Sequence, residues 1–244
     1  MPSPANLKAT AILDYQSSVI RKLALALRRE HSKDRGLLKA SHRYLVHSIR
    51  PVYTLNELQP ASRTINRQQG SCSQRMACLE AIARASDIAT RARALRIDGR
   101  FWYPRFRYVR AFIPKSILLL WPQFFLDGDW LNFDELYGSL AELGSRATQK
   151  FTNDGESLFD AIDHTPVDFL AKTSRPGCPA ADFDLSRFVL ADEGFFDTRD
   201  EVFERFGSLQ DSLRGRVFEA IFGGRKSSSP GHPGPGECVS TSAK

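Results

Sequence analysis

The segment Arg67-Gln68-Gln69-Gly70-Ser71-Cys72-Ser73-Gln74-Arg75 runs straight into Met76-Ala77-Cys78-Leu79-Glu80-Ala81-Ile82-Ala83-Arg84-Ala85, and the junction decides the fold. A glycine two residues before a cysteine lets the chain turn tightly. The small and apolar residues Met76, Ala77, Leu79, Ala81, Ile82 and Ala83 then predict a helix buried on most of its circumference, the central helix of a domain. Cys72 would open that helix. The free N–H groups of a helix start place positive potential on the sulfur, which is expected to lower its pKa toward that of a cysteine nucleophile. The other role open to an isolated cysteine is that of a small buried hydrophobe.

Upstream, Ile12, Tyr15, Val19, Leu23 and Leu27 recur three or four apart and predict one helical stripe beginning at Ile12. A second helix is expected from about Leu37 to Ile49. It stops at Arg50-Pro51, because proline restricts the residue before it. The Pro- and Asn-containing stretch from there to Cys72 reads as irregular.

Downstream, Arg91-Ala92-Arg93-Ala94-Leu95-Arg96-Ile97 predicts a strand with its arginines on one face, turned by Asp98-Gly99. Ile117 to Leu126 is an apolar strand, Asp127-Gly128 has the composition of a type I′ turn, and Trp130 to Asp134 returns as the partner strand. Helices at about Asp134–Gln149 and Gly155–Ile162, then a loop with Pro166, Pro176 and Pro179, follow. A final helix is opened by the capping box Thr198-x-x-Glu201 and closed by Gly223-Gly224. This order predicts an α+β fold, with the Cys-bearing helix packed on an antiparallel sheet and extra helices at both ends. Residues 1–224 are expected to form a single domain. Residues 225–244, rich in Ser, Pro and Gly, read as a disordered tail.

Composition narrows the function. Hydrophobic residues at 42% and charged residues at 25% are globular proportions. No window carries the eighteen or more apolar residues of a membrane span, and Met1-Pro2-Ser3-Pro4 opens a charged amphipathic segment rather than a signal sequence. A soluble, cytoplasmic protein is expected. Cys72, Cys78, Cys178 and Cys238 form no C-x-x-C pair, so neither a disulfide framework nor a metal site is indicated, and no cofactor is implied. The net charge of +6 is divided unevenly. Residues 1–120 hold 22 Lys/Arg against 7 Asp/Glu, whereas residues 121–244 hold 12 against 21. An exposed basic remainder would favour an acidic partner or an anionic substrate.

Taken in order, Gly70-Ser71-Cys72, the buried helix, Ile88-Ala89-Thr90-Arg91 and Leu126-Asp127-Gly128-Asp129-Trp130 before Asp134 resemble the transglutaminase-like superfamily, over roughly Leu37 to Leu140. The resemblance implies a papain-type arrangement in which cysteine, histidine and aspartate form a triad. Cys72 matches the nucleophile and Asp134 the orienting carboxylate. The family's histidine lies two residues before a tryptophan. Here Trp121 takes the tryptophan position and Leu119 the histidine position. A leucine can neither take the thiol proton nor return it to a leaving amine. Three readings stay open: a binding module that keeps only the cleft, an enzyme that recruits another base, and a chemistry that needs only a thiolate.

His164, flanked by Asp160 and Asp163, is the candidate replacement base. The catalytic residues expected are therefore Cys72, Asp134 and His164, and those for substrate are Arg91, Trp102, Arg105, Arg107 and Trp121. The expected activity is cysteine-dependent acyl transfer or amide-bond chemistry through a thioester on Cys72. An acidic carrier protein presenting the acyl group would dock on arginines such as Arg105, Arg107 and Arg110. The aromatic and arginine interleaving from Arg91 to Lys115 could suggest nucleic acid, but a sheet face beside the cleft accounts for it.

Overall fold

In the computed structural model, residues 1–108, 110–172 and 183–208 are described. The elements in chain order are α1 (Ser18–Glu30), α2 (Asp34–Ser48), β1 (Arg50–Pro51), α3 (Ala61–Arg67), β2 (Gln69–Gly70), α4 (Cys72–Arg84), β3 (Thr90–Asp98), β4 (Ser116–Leu126), β5 (Asp129–Asn132), α5 (Leu140–Arg146), α6 (Leu158–Ala161), β6 (Val189–Phe196) and α7 (Arg199–Phe206). The α+β architecture matches the expectation. One four-stranded antiparallel sheet has the order β5-β4-β3-β6, and β1 pairs parallel with β2 immediately before α4.

Helix α4 is the axis of the core, and every residue from Gln74 to Arg84 is buried. Its three buried charges each tie down a different part of the chain. Arg75 grips Asp160 of α6 with both terminal nitrogens, at 3.1 and 2.5 Å. Glu80 accepts from Arg199 Nε of α7 at 2.7 Å. Arg84 donates to the carbonyls of Lys8 (2.6 Å), Thr90 (3.0 Å) and Asp197 (2.6 Å). Buried ions persist only when partnered in this way.

The strand readings largely hold. β3 pairs with β4 over nine residues, from Thr90↔Phe124 to Asp98↔Ser116. The turn between β4 and β5 has positive φ at Asp127 (53°) and Gly128 (91°), as a type I′ turn requires. Along β3 the arginines are half-buried, while Ala92, Ala94, Leu95 and Ile97 are buried. The alternation slips at Ala94/Leu95, where the pairing with β6 shifts register.

Several expectations need correction. The first helix starts at Ser18, not Ile12. Tertiary bonds hold the preceding segment out of helical form: Ile12 N–H donates to Asp200, and Asp14 accepts from the Ser62 backbone and hydroxyl. The stretch before Cys72 contains α3, which packs against α1 and α4. Asp134 lies in a 3₁₀ turn (Phe133–Glu135) rather than in β5, and α5 and α6 are shorter than expected. Strand β6 has no counterpart in the expected order. Its Asp192, Glu193 and Gly194 disguise a strand whose carboxylates pair with Arg93 and Arg96 across the sheet. The capping box at Thr198 and Glu201 forms and opens α7, but the helix ends at Phe206, where Gly207 at φ 75° caps it, and does not run on as one helix. The expected continuation to Gly223-Gly224, Cys178, Cys238, Pro176, Pro179 and the expected tail lie outside the described residues.

Candidate active site

Cys72 is the first residue of α4. Its N-cap, Ser71, accepts from Gln74 N–H at 3.2 Å, while Gln74 Oε1 accepts from Ser71 N–H at 3.0 Å. Gln74 Nε2 also donates to Asn56 O at 2.6 Å, which ties the helix start to the preceding loop. Helix α3 approaches closely at Gly70, where a Cβ would meet Thr64 Cγ2 at 2.7 Å. The capping box serves the Gln74 N–H. The N–H groups of Cys72 and Ser73, one turn too early for helical partners, are thereby left free of intrahelical bonds.

Half-buried Cys72 forms part of the wall of a cavity of about 140 Å³. Val52, Trp102, Phe106, Ile113, Leu119 and Leu158 make most of the lining apolar, and Glu57, Ser73, Arg105 and Asn153 add polar groups. Burial pushes the Cys72 thiol up to about 11, with Arg75 pulling it down and Asp160 pushing it up. The expected lowering by the helix start is therefore overturned. The physical reason is that desolvation of the sulfur outweighs the Phe159 backbone N–H, Arg105 and Arg75, the last neutralised by its bidentate bond to Asp160. Cys78 is fully buried, donates to Ala61 O at 3.5 Å, and is pushed up to about 12 by burial.

Leu119 and Trp102 share the cavity with Cys72; Asp134 and Trp121 are not among its lining residues. Trp121 Nε1 donates to Asp134 Oδ1 at 2.9 Å, and Lys172 Nζ lies 3.9 Å from Oδ2. Burial raises Asp134 to about 6, with Lys172 opposing. Trp121 thus acts as a partner of the carboxylate rather than as a substrate contact. His42, on α2, is close to this cluster, its ring centroid 5.8 Å from that of Phe133. Its Nε2 donates to Phe159 O at 2.6 Å, since a carbonyl can only accept, and Nδ1 meets the Tyr137 hydroxyl at 2.9 Å. Burial holds His42 down at about 4, so the ring is neutral.

The remaining expected site residues lie elsewhere. His164 is exposed, bonded to Asp163 through Nδ1 and 2.9 Å from Glu156 through Nε2. These two carboxylates raise its pKa to about 10. It is therefore a surface imidazolium with both ring nitrogens engaged, outside the cavity lining, and cannot accept a thiol proton at neutral pH. Arg91 stacks over Trp130 at 4.2 Å and Phe195 at 4.1 Å, and donates to Gln123 at 2.6 Å, away from the cavity. Arg105 does line the cavity, but donates to the carbonyls of Asn153 and Glu156. Arg107 is exposed and paired with Asp154 at 2.5 Å. The latter two arginines clamp the 153–156 loop over one end of the site. Sequence reasoning missed Glu57, Phe106, Ile113 and Leu158, which come from loops and a one-turn helix without periodicity.

Among the described residues, no three His, Cys, Asp or Glu side chains cluster closely enough to hold a metal ion, and no helix is long and apolar enough to cross a membrane. A family model described as the transglutaminase-like superfamily matches residues 21–135. The matched segment runs from α1 to one residue past Asp134 and so contains Cys72, Leu119 and Asp134. No curated protein and no solved structure matches the chain.

Proposed function

We propose that this protein, whose residues 21–135 carry a transglutaminase-like core, performs acyl transfer or amide-bond chemistry through a thioester on Cys72. The observation that carries the reading is the meeting of three features at one place: a cysteine, a capped helix start whose first N–H groups have no intrahelical partner, and an apolar cavity. The sulfur would attack an acyl carbonyl. The Cys72 and Ser73 N–H groups would receive the developing oxyanion. Trp102, Phe106 and Leu158 suit an apolar acyl chain. A carrier protein that presents this chain as a thioester would meet the rim where exposed Arg107 pairs with Asp154.

Intact-mass measurement after incubation with S-hexanoyl-N-acetylcysteamine tests the reading. A hexanoyl adduct that maps to Cys72 and is lost in Cys72→Ala is the expected result; no adduct at any pH overturns it.

A second reading, a binding module without catalysis, draws on two observations: Leu119 in the cavity and a thiol held protonated by burial. In that case the same probe binds without covalent change, and Cys72→Ala leaves partner affinity intact.

A further inference from the structure

Glu57 lies in the irregular stretch between β1 and α3, beside the exposed Leu58. Its Oε2 nevertheless points inward: the atom is fully buried, with no hydrogen-bond partner among the described residues. Glu57 also lines the same cavity as Ser71, Cys72 and Ser73. A buried carboxyl oxygen without a partner is costly to the fold, and such a cost is characteristic of groups that do chemistry. We propose that Glu57 is the acid–base residue of the Cys72 site, a catalytic group that carries the thiol proton to the leaving group. The proposal rests on the acyl-transfer reading above and supplies the proton carrier that Leu119 cannot be.

The step balances without any co-reactant beyond the two substrates. The Glu57 carboxylate takes the proton of Cys72, and the thiolate sulfur bonds to the acyl carbonyl carbon. The bond from that carbon to the leaving thiol or amine then breaks, and the leaving atom receives the proton from the Glu57 carboxyl. In the second half the acceptor, an amine or water, gives a proton to Glu57 and bonds to the carbonyl carbon. The carbon–sulfur bond breaks, and Cys72 recovers its proton from Glu57.

The electrostatics fit this task. Burial raises Glu57 to about 8, opposed by the charge of Arg199 on α7, which is itself held by Glu80 of α4. Tyr53 from the loop after β1, Cys72 on α4 and Arg105 from the loop after β3 are the other titratable groups on the cavity wall; Arg75 and Asp160 act on the thiol from α4 and α6. His42, Asp134 and His164 are not among the lining residues. At pH 7 about one Glu57 in ten would be the carboxylate, a proportion suited to a group that must both accept and donate a proton.

The test is the rate of Cys72 acylation by S-hexanoyl-N-acetylcysteamine between pH 5 and pH 9.5, in the full chain and in Glu57→Gln and Glu57→Asp, with circular dichroism on each. The unaltered chain should show a rate rising through a midpoint near pH 8. Glu57→Gln should lose that limb and slow by roughly 10²–10⁴-fold. Glu57→Asp should keep the limb at a reduced rate. An unchanged rate and limb in folded Glu57→Gln overturns the assignment of Glu57 while leaving Cys72 acylation standing. Absence of any adduct in the unaltered chain overturns the acyl-transfer reading, and Glu57 with it. Should Glu57→Gln not fold, Glu57→Asp decides: loss of the limb in that variant overturns the proposal.

Discussion

Alkylation of Cys72 by iodoacetamide provides a substrate-free test of the site's electrostatics. Only the thiolate reacts, so the rate follows its population. Burial moves the group from 9.0 to about 11, which sets the thiolate fraction near 10⁻⁴ at pH 7 against about 10⁻² for the unperturbed thiol. Cys72 in the folded protein should therefore label about 100-fold more slowly at pH 7 than the same peptide in urea. The rate should climb about tenfold per pH unit toward a midpoint near 11. Cys78 should label more slowly still, because it is fully buried and its midpoint lies near 12. Quenched labelling with isotopically distinct reagents, followed by peptide mass mapping, reads the cysteines separately. Leu119→Arg adds a perturbation aimed at the cavity itself. A guanidinium, which stays charged across this pH range, should draw the midpoint down by about 1–3 pH units if it faces the sulfur. A native midpoint at or below pH 8, or equal labelling of folded and unfolded Cys72 at pH 7, would refute the desolvation argument. A midpoint unmoved by Leu119→Arg would show that the two side chains do not face each other.

Arg199→Met strips the buried Glu80 carboxylate of its partner and should lower stability by about 3–5 kcal/mol in urea unfolding; a loss under 1 kcal/mol would mean that water reaches Glu80. His164→Ala should leave the Cys72 acylation rate within about twofold, since general acid–base assistance is worth roughly 10²–10⁴-fold and this surface cation supplies none. A hundredfold loss would restore it as the base. Stability should also depend on pH through two opposed groups. His42 falls from 6.5 to about 4 on folding, so the unfolded chain binds more protons between those values and stability should rise as pH climbs from about 4 to 6.5. Glu57 rises from 4.5 to about 8, so its contribution is complete below 4.5 and is lost as pH rises through 8. Glu57→Gln should flatten that decline between pH 4.5 and about 8, and denaturant titrations across pH would detect a slope that survives the substitution.

The elements legible in the sequence were those whose signal is local and periodic. Small apolar residues after Gly70-Ser71-Cys72 announced a buried helix with the cysteine at its start, and Asp127-Gly128 between apolar runs announced the β4–β5 hairpin. The motif order also carried the resemblance that the family model matches over residues 21–135. In these cases backbone preference and hydrophobic spacing act within a few residues, so the local pattern is sufficient.

Tertiary structure decided everything that depends on distant segments meeting. Strand β6 exists because its carboxylates find Arg93 and Arg96, an arrangement that leaves no apolar alternation to read. The Cys72 thiol is raised rather than lowered because walls from the 52–57, 101–119 and 153–158 regions exclude water, and Asp160 cancels the charge of Arg75. His164 has two carboxylates because Glu156 folds back beside it, which turns a candidate base into a fixed cation. Glu57, in an irregular stretch without motif or period, becomes part of the site only when that loop closes over the start of α4. A residue's type and spacing determine which local structure it favours; its charge state and its neighbours across the cavity are set by the dielectric and the contacts that the completed fold imposes.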